Sequence, residues 1–146
     1  MGIIIEKTNS FTEAMLALPF IASIDTFYPN IQDWFVNTVV PGICLNNDNL
    51  LLAKENNKII GIALSKSGLE NKLRCIRVSK DYENSGLGIK LIDKSLDLIG
   101  PKPLVTVSEE LLHSYSRIFV NRYGFNLTNV YKGKYRKNKL EYFFNQ

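Results

Sequence analysis

The part of the sequence that most constrains the fold is a strand, a polar loop and an amphipathic helix in direct succession. The apolar run "KLRCIRVS" has the composition of a strand, and "KDYENSGLG" follows it as a loop with two glycines. From Leu87 to Ile99 the apolar side chains form a broad stripe on a helical projection, and Lys and Asp side chains lie on the opposite side. A helix with one apolar face packs on a sheet. We therefore expect its N-terminus to lie near the end of the preceding strand.

Gly86 and Gly88 stand at the start of this helix. A helix N-terminus has free N–H groups and a partial positive charge, and glycine lets an anion approach the backbone. The glycines by themselves are equally compatible with a tight turn. A Walker loop is excluded because it needs Gly-Lys-Ser/Thr where this chain has "GIK", and a dinucleotide fingerprint is excluded because Leu91 replaces its third glycine. A phosphate site of another type and a simple turn both remain open at this point.

The remaining sequence alternates between strand-like and helix-like segments. In chain order the segments are "GIIIEK", "FTEAMLAL", "IQDWFVNTVV", the hairpin "NLLLAKENNKIIGIAL", "KLRCIRVS", the helix described above, "KPLVTVS", "EELLHSYSRIFVNRYGF", "NLTNVYKGKYR" and "KLEYFF". The order β-α-α-β-β-β-α-β-α-β-β predicts an α/β fold, with a mixed sheet that contains antiparallel hairpins and one β-α-β crossover.

Several helix ends are predicted from breaking and capping residues. We expect Pro19 to stop the first helix, and the second helix to run from an Asn30 N-cap to the residue before Pro41. We expect Ser108 to cap the last helix, which Gly124 should end as a C′ glycine.

Length and composition favour one domain, residues 1–146. The chain has 146 residues, of which 45% are hydrophobic and 22% charged, and this is enough to bury a core without cross-links. The N-terminus lacks the basic and apolar regions of a signal peptide, and the longest apolar run is too short to span a bilayer. Cys44 and Cys75 lie in apolar surroundings without metal-ligand spacing, and both are expected to be free thiols in the core, with Cys75 buried in its strand. We expect a cytoplasmic protein without a metal or a membrane segment.

The motif "V-x-x-x-Y-x-x-S-G-L-G-x-x-L" and its flanking segments resemble the GNAT N-acetyltransferases. The hairpin with Gly61 looks like the second and third strands of this family, and "NRYGF" looks like its ending after the last helix. The resemblance extends from about Ile3 to Phe144. It implies the GNAT fold, in which strands four and five splay around acetyl-CoA, and acetyl transfer by direct attack of an amine.

By this resemblance, the cofactor-binding residues come from the fourth strand and the glycine loop. The strand would bond the pantetheine arm through its backbone, the loop would hold the pyrophosphate with its N–H groups, and Lys90 would help to neutralise it. The residues implied are Ile76, Arg77, Val78, Glu83, Asn84, Ser85, Gly86, Leu87, Gly88, Ile89 and Lys90. Glu83 replaces the Gln or Arg of the family, and we expect its carboxylate to point to solvent or to pair with a lysine.

A second departure concerns the tyrosine that many GNAT enzymes use as a general acid, because this chain has Val120 at that position. At 100° per residue Glu109, His113, Ser116 and Val120 share one face of the last helix, and by resemblance this face looks into the cleft. His113 and Glu109 are therefore the candidates for catalytic acid or base. Both have simpler alternatives, His113 as a surface residue and Glu109 as an acid at a helix start. A second stripe is expected to be buried and holds Leu111, Tyr115, Ile118 and Phe119.

Fewer residues of the sequence indicate where the amine acceptor would bind. The aromatic segment "DTFYPNIQDWF" is typical of packing between the early helices, with Trp34 and Phe35 in the core, and by resemblance Tyr28 could contact the acceptor. The hairpin "YKGKYRKNKLEYFF" is typical of a solvated sheet edge, and no nucleic-acid module is present in the sequence. The sequence thus predicts an acetyl-CoA-dependent N-acetyltransferase that acts on a small-molecule or protein amine. The alternative is a CoA-binding regulatory module with little catalysis, and a homodimer is left open.

Overall fold

The computed structural model describes residues 2–146 and contains a seven-stranded sheet with the strand order β1-β2-β3-β4-β5-β7-β6. The strands are β1 (Ile4–Thr8), β2 (Asp48–Glu55), β3 (Lys58–Lys66), β4 (Lys72–Val78), β5 (Leu104–Ser108), β6 (Leu127–Lys132) and β7 (Leu140–Phe144). All neighbouring strands are antiparallel except β4 and β5, which are parallel. The mixed sheet and the element order predicted from the sequence are confirmed.

The helices are short except for one. They are α1 (Phe11–Leu16), α2 (Leu18–Ala22), α3 (Ile31–Trp34), α4 (Val40–Cys44), α5 (Leu87–Ile99) and α6 (Leu112–Ser116), with π-helical turns at Phe35–Val39 and Arg117–Arg122 and a 3-10 turn at Lys80–Tyr82. Gly124, with a φ of 68°, follows the last turn as predicted.

Two predicted helix ends are wrong. Pro19 does not stop the first helix, since it lies in the first turn of α2, and Pro41 does not end the second one, since it lies in the first turn of α4. The first turn of a helix tolerates proline because the missing N–H would have no intrahelical acceptor there. Asn30 does take the N-cap position of α3, but with a left-handed φ of 62° and no bond from its side chain to the helix.

Two helical layers cover the two faces of the sheet. The layer of α1 to α4 covers one face, and its buried cluster includes Ile21, Phe35, Ile43, Leu50, Leu52 and Ile62. In β2 the alternate residues Leu51 and Ala53 point to the other face, where they pack against Leu87 and Leu91 of α5. The apolar stripe predicted for α5 is therefore its contact with the sheet.

Gly61 explains how closely α5 approaches β3. A Cβ atom at this position would lie 3.1 Å from Cδ1 of Leu91 and 3.2 Å from the carbonyl oxygen of Arg77. Any larger residue would push the helix away from the sheet. The N-terminus of α5 is thus fixed beside the end of β4, as the sequence predicted.

The parallel strands β4 and β5 are paired only at their beginnings, where Lys72 faces Leu104 and Leu73 faces Val105. The register between β3 and β4 shifts at the next residue, which leaves Arg74 as an extra residue in β4. A bulge of this kind bends the strand that contains it. The two strands diverge beyond the bulge, and the predicted splay between them is confirmed.

Candidate functional site

Two adjoining cavities occupy the gap between the splayed strands. The larger cavity has a volume of about 540 Å³ and the smaller cavity a volume of about 60 Å³. They share four lining residues, which are Ile76, Arg77, Leu111 and Tyr115. The hydroxyl of Tyr115 lies 3.4 Å from the carbonyl oxygen of Ile76, to which it donates across this junction. The two cavities therefore form one cleft that narrows at Tyr115.

The larger cavity begins at the N-terminus of α5 and ends between the strands. Its walls are Ile76, Arg77, Val78, Tyr82, Glu83, Asn84, Gly86, Gly88, Ile89, Ile92, Leu111, Ser114, Tyr115 and Ile118. Every cofactor-binding residue expected from the sequence lies along it except Ser85, Leu87 and Lys90. Ser85 and Lys90 are exposed, and Leu87 is buried against the sheet because its side chain belongs to the apolar stripe of α5.

The glycine loop offers open backbone to this cavity. Gly86 adopts a left-handed φ of 87°, which places α5 directly after the turn, and Asn84 has a φ of 61°. The N–H groups of Gly88 and Ile89 belong to the first turn of α5, where a helix has no acceptor for them. A Cβ atom at Gly88 would have Val78 as its nearest neighbour, at 4.0 Å. An anionic group can therefore reach these N–H groups.

Charged side chains flank the larger cavity on two sides. Glu83 is exposed, and within residues 2–146 no lysine or arginine lies within 4.0 Å of its carboxylate. Arg77 lies at the junction and its Nε donates a hydrogen bond of 3.0 Å to Oγ of Ser23. The exposure of Glu83 agrees with the expectation that its charge is directed to solvent.

The orientation of the last helix differs from the sequence-based expectation. The stripe with Leu111, Tyr115 and Ile118, which was expected to be only buried, lines the cleft in addition to packing on the core. The face with His113 and Val120 is exposed. Leu111, Tyr115 and Ile118 do share one stripe, as the helical projection predicted, but it is this stripe that packs on the core and borders the cleft, so the face with His113 is left on the outside.

The start of this helix was also predicted incorrectly. Leu111, and not Ser108, occupies the N-cap position of α6. Ser108 is the last residue of β5, its side chain is fully buried, and its Oγ atom has no hydrogen-bond partner within residues 2–146. Strand pairing with β7 extends through Ser108, which keeps the residue in the sheet and delays the helix.

The two catalytic candidates lie outside both cavities. Glu109 is exposed and its carboxylate accepts a hydrogen bond of 2.6 Å from the backbone N–H of Leu140. His113 is exposed on α6. The catalytic roles of both residues stay predictions from the sequence.

The smaller cavity holds the predicted acceptor residue, Tyr28. The Tyr28 hydroxyl donates a hydrogen bond of 2.8 Å to Oε2 of Glu141, a residue of β7 that is only 3% exposed. Tyr135 contacts the Tyr28 ring edge to face, with 5.5 Å between the ring centroids. Burial raises the pKa of the Glu141 carboxyl above its ordinary value.

Cys75 also lines the smaller cavity. Burial raises the pKa of the Cys75 thiol to about 12, because the thiolate is disfavoured away from water. The thiol is therefore protonated at neutral pH and is a poor nucleophile. This agrees with the inert strand thiol predicted from the sequence. The core position expected for Cys44 is wrong, since Cys44 is exposed at the end of α4.

The sequence assigned no functional role to Tyr115, which was expected only in the buried stripe, or to Glu141. Glu141 lies in "KLEYFF", where alternation predicts a solvated face for the polar residue. It is buried because the segment with Tyr28 and the turn with Tyr135 cover that face of β7. A lone carboxylate between apolar residues was the one signal available, and it does not by itself distinguish a buried site from an exposed edge.

The chain resembles known proteins in structure but not detectably in sequence. No protein-family model matches it, and no curated protein sequence matches it significantly. Among solved structures, a protein from Desulfovibrio desulfuricans described as an acetyltransferase of the GNAT family superposes with a TM-score of 0.78 at 20% identity, over 98% of this chain and 97% of the other. The chain has the GNAT fold.

Other structures with the GNAT fold superpose over similar lengths. The PaiA N-acetyltransferase from Thermoplasma acidophilum, in complex with coenzyme A, has a TM-score of 0.72 at 14% identity over 100% of both chains. A GNAT-family acetyltransferase from Streptococcus pneumoniae has a TM-score of 0.71 at 18% identity, over 98% of this chain and 97% of the other. At these identities the superpositions establish the fold.

Within residues 2–146, no helix is long and apolar enough to cross a membrane. No group of three or more His, Cys, Asp or Glu residues in the same range is arranged to hold a metal ion.

Proposed function

We propose that this chain is an acetyl-CoA-dependent N-acyltransferase that transfers an acetyl group to an amine by direct attack. The observation that carries the proposal is the cleft itself. A large cavity leads from the glycine loop at the start of α5 into the gap between β4 and β5, where it meets a second, smaller cavity. Acetyltransferases are among the proteins that share this fold, and one of them is in complex with coenzyme A.

The larger cavity fits an elongated donor with a diphosphate at one end. The open N–H groups at Gly88 and Ile89 and the partial positive charge of α5 would hold the diphosphate. The unpaired edge of β4, from Ile76 to Val78, would bond the amide groups of a pantetheine arm in the manner of an added strand. Acetyl-CoA supplies the activated acetyl group when it is bound.

The junction of the two cavities would be the place of reaction. A backbone N–H on β4 would stabilise the negative charge that develops on the thioester oxygen. Tyr115 places its hydroxyl group at this junction. Burial raises the pKa of this hydroxyl, so it stays protonated at neutral pH. We assign to Tyr115 the donation of a proton to the departing thiolate, the step for which Val120 offers no group.

A second candidate function is that of a CoA-binding module with little catalysis. It is favoured by Val120, which is 43% exposed and carries no acid, and by the carboxylate of Glu83 beside the larger cavity. Tight binding of CoA without transfer to any amine would support this function in place of the first.

Calorimetric titration of CoA into the wild type and Gly86→Asp tests the donor site. We expect the substitution to abolish binding, because it adds both bulk and negative charge where the diphosphate would lie. Gly133→Asp is the matched control, since Gly133 also has a left-handed φ, of 78°, and open space around it, but lies in the turn between β6 and β7. Equal CoA affinity in all three proteins would disprove the donor site.

A further inference from the structure

Glu141 is an unusual residue for the interior of a sheet. It is 3% exposed, and within residues 2–146 no lysine or arginine lies within 4.0 Å of its carboxylate. A buried carboxylate without a cation destabilises the folded state, since the charge loses its hydration. A hydrophobic or amide residue would serve packing better. The carboxylate therefore calls for a functional explanation.

The hydrogen bond between Tyr28 and Glu141 has a defined direction. The phenol of Tyr28 donates to Oε2 of Glu141 at 2.8 Å, so the lone pairs of the phenol oxygen remain available to a donor in the smaller cavity, which Tyr28 lines. Tyr28 thus presents to this cavity an oxygen that is made more basic by the carboxylate behind it.

Ser108 supplies an independent observation at the same place. It is directly opposite Glu141 in the pairing of β5 with β7, so both side chains stand on the same face of the sheet. Its side chain is fully buried and its Oγ atom has no partner within residues 2–146. A buried hydroxyl without a partner normally indicates a missing hydrogen-bond donor or acceptor.

We propose that Tyr28 is the catalytic residue that receives the acceptor in the smaller cavity, and that Glu141 positions and polarises it so that the pair takes the proton of a primary amine. The inference rests on the proposed function and specifies its acceptor end. One N–H proton of the ammonium group passes to the oxygen of Tyr28 while the phenol proton passes to the Glu141 carboxylate. The products are a neutral amine, an unchanged tyrosine and a protonated Glu141.

The neutral amine then attacks the thioester carbonyl carbon. The new C–N bond forms and the C–S bond breaks. Tyr115 donates its proton to the departing thiolate, and the second proton of the nitrogen restores the Tyr115 phenol. The proton on Glu141 returns to solvent when the product leaves. The sequence of steps needs no oxidant, metal or further reactant.

Glu141 must be ionised for the pair to act. The rate of acetyl transfer should therefore rise as the pH passes through the pKa of the Glu141 carboxyl. The polar and charged groups around this carboxyl are Tyr28, Thr106, Glu110, Tyr135 and Arg136. Arg136 is held by Glu110 in a two-fold ion pair, which leaves the hydrogen bond from Tyr28 as the main direct contact.

The test uses the wild-type chain of 146 residues, Glu141→Gln, Tyr28→Phe and the double variant. CoA binding is measured by calorimetry, and CoA release from acetyl-CoA is followed with ethylamine, ethanolamine, glycinamide and hydroxylamine across a range of pH. Hydroxylamine serves as the internal comparison, because it is unprotonated at neutral pH and needs no base. Glu70→Gln, an exposed residue paired with Lys72, is the control.

We expect each single variant to lower transfer to the three amines by roughly 100-fold, to keep most transfer to hydroxylamine, and to lose the acidic limb of the pH profile. The double variant should be no worse than either single one, because both residues act as one unit. CoA affinity should be unchanged. Circular dichroism establishes that each variant is folded.

Other outcomes separate the two proposals. Wild-type protein that binds CoA but transfers to none of the three amines, with or without transfer to hydroxylamine, overturns the relay and leaves the donor site standing. Equal loss with hydroxylamine and with amines, or an unshifted pH profile in folded Glu141→Gln, also overturns it. Failure of wild type to bind CoA overturns the proposed function itself.

Discussion

The larger cavity takes most of its walls from one continuous stretch of chain, whereas the smaller cavity is assembled from segments that are far apart in sequence. In the first, β4, the glycine loop and α5 follow one another within residues 76–92. In the second, the hydrogen bond between Tyr28 and Glu141 joins residues separated by 113 positions. In the proposed function the first would act through backbone N–H groups and the second through side chains. A site of the first kind can be recognised from residue spacing, and a site of the second kind depends on which loops cover which strand.

Tyr115→Phe tests the point where the two cavities meet. The ring should keep its packing in the cleft, so we expect CoA affinity to be retained and the rate of transfer to ethylamine to fall by about 100-fold, as for loss of a general acid. Tyr142→Phe is the matched control, because Tyr142 is partly buried in the same apolar cluster but lines neither cavity. An unchanged rate would show that Tyr115 takes no part in the reaction and that water protonates the thiolate.

Gly88→Ala tests whether the larger cavity binds the diphosphate through open backbone N–H groups. The added methyl group meets no protein atom closer than 4.0 Å, so we expect the helix to be stabilised by about 0.5–1 kcal/mol. CoA affinity should nevertheless fall by about tenfold, which corresponds to roughly 1.4 kcal/mol. Chemical denaturation and calorimetry measure the two effects. Lys94→Ala, on the exposed side of α5, is the control, and a Gly88→Ala protein with unchanged affinity would place the diphosphate elsewhere.

Glu141→Gln should make the protein more stable at neutral pH. The folded-state pKa of Glu141 is raised above 4.5, so its contribution to stability is greatest below that value and is lost as pH rises through the folded pKa. Glutamine cannot ionise and avoids this loss, and we expect a gain on the order of 1 kcal/mol at pH 7 that disappears in acid. Urea unfolding at several pH values measures it. A variant that is less stable at pH 7 would show that the carboxylate serves packing.

His113→Ala tests whether His113, the catalytic candidate predicted from the sequence, takes part in the reaction. Since the ring is exposed and lines neither cavity, we expect the rate to change by less than about twofold and the pH–rate profile to keep its shape. A shifted profile would return His113 to the reaction and would require the last helix to reorient when the donor binds.

The fold could be predicted in large part because periodicity and breakers report local structure. The alternation in β2 and the stripe of α5 specify which side chains pack against each other, and Gly61 specifies how close they come. The errors lie where local rules give two answers. Proline both stops helices and starts them, and Ser108 remained in the sheet and did not cap the helix because β7 was available for pairing.

In the candidate site, too, the features set by local sequence could be predicted and those set by distant segments could not. The open geometry of the glycine loop was predicted because it belongs to the backbone and is encoded by consecutive residues. Tyr115 was predicted to be core only, because a helical projection gives the side of the helix on which a residue lies but not the gap that two diverging strands leave beside that side.

The sequence by itself determined the order of elements, the apolar faces and the open backbone at Gly86 and Gly88. The tertiary structure alone decided that Tyr115 stands where the two cavities meet and that Glu141 is buried behind Tyr28. The physical reason is that burial and pKa are properties of everything packed around a group. A carboxylate in a five-residue strand has no defined environment until distant segments close over it.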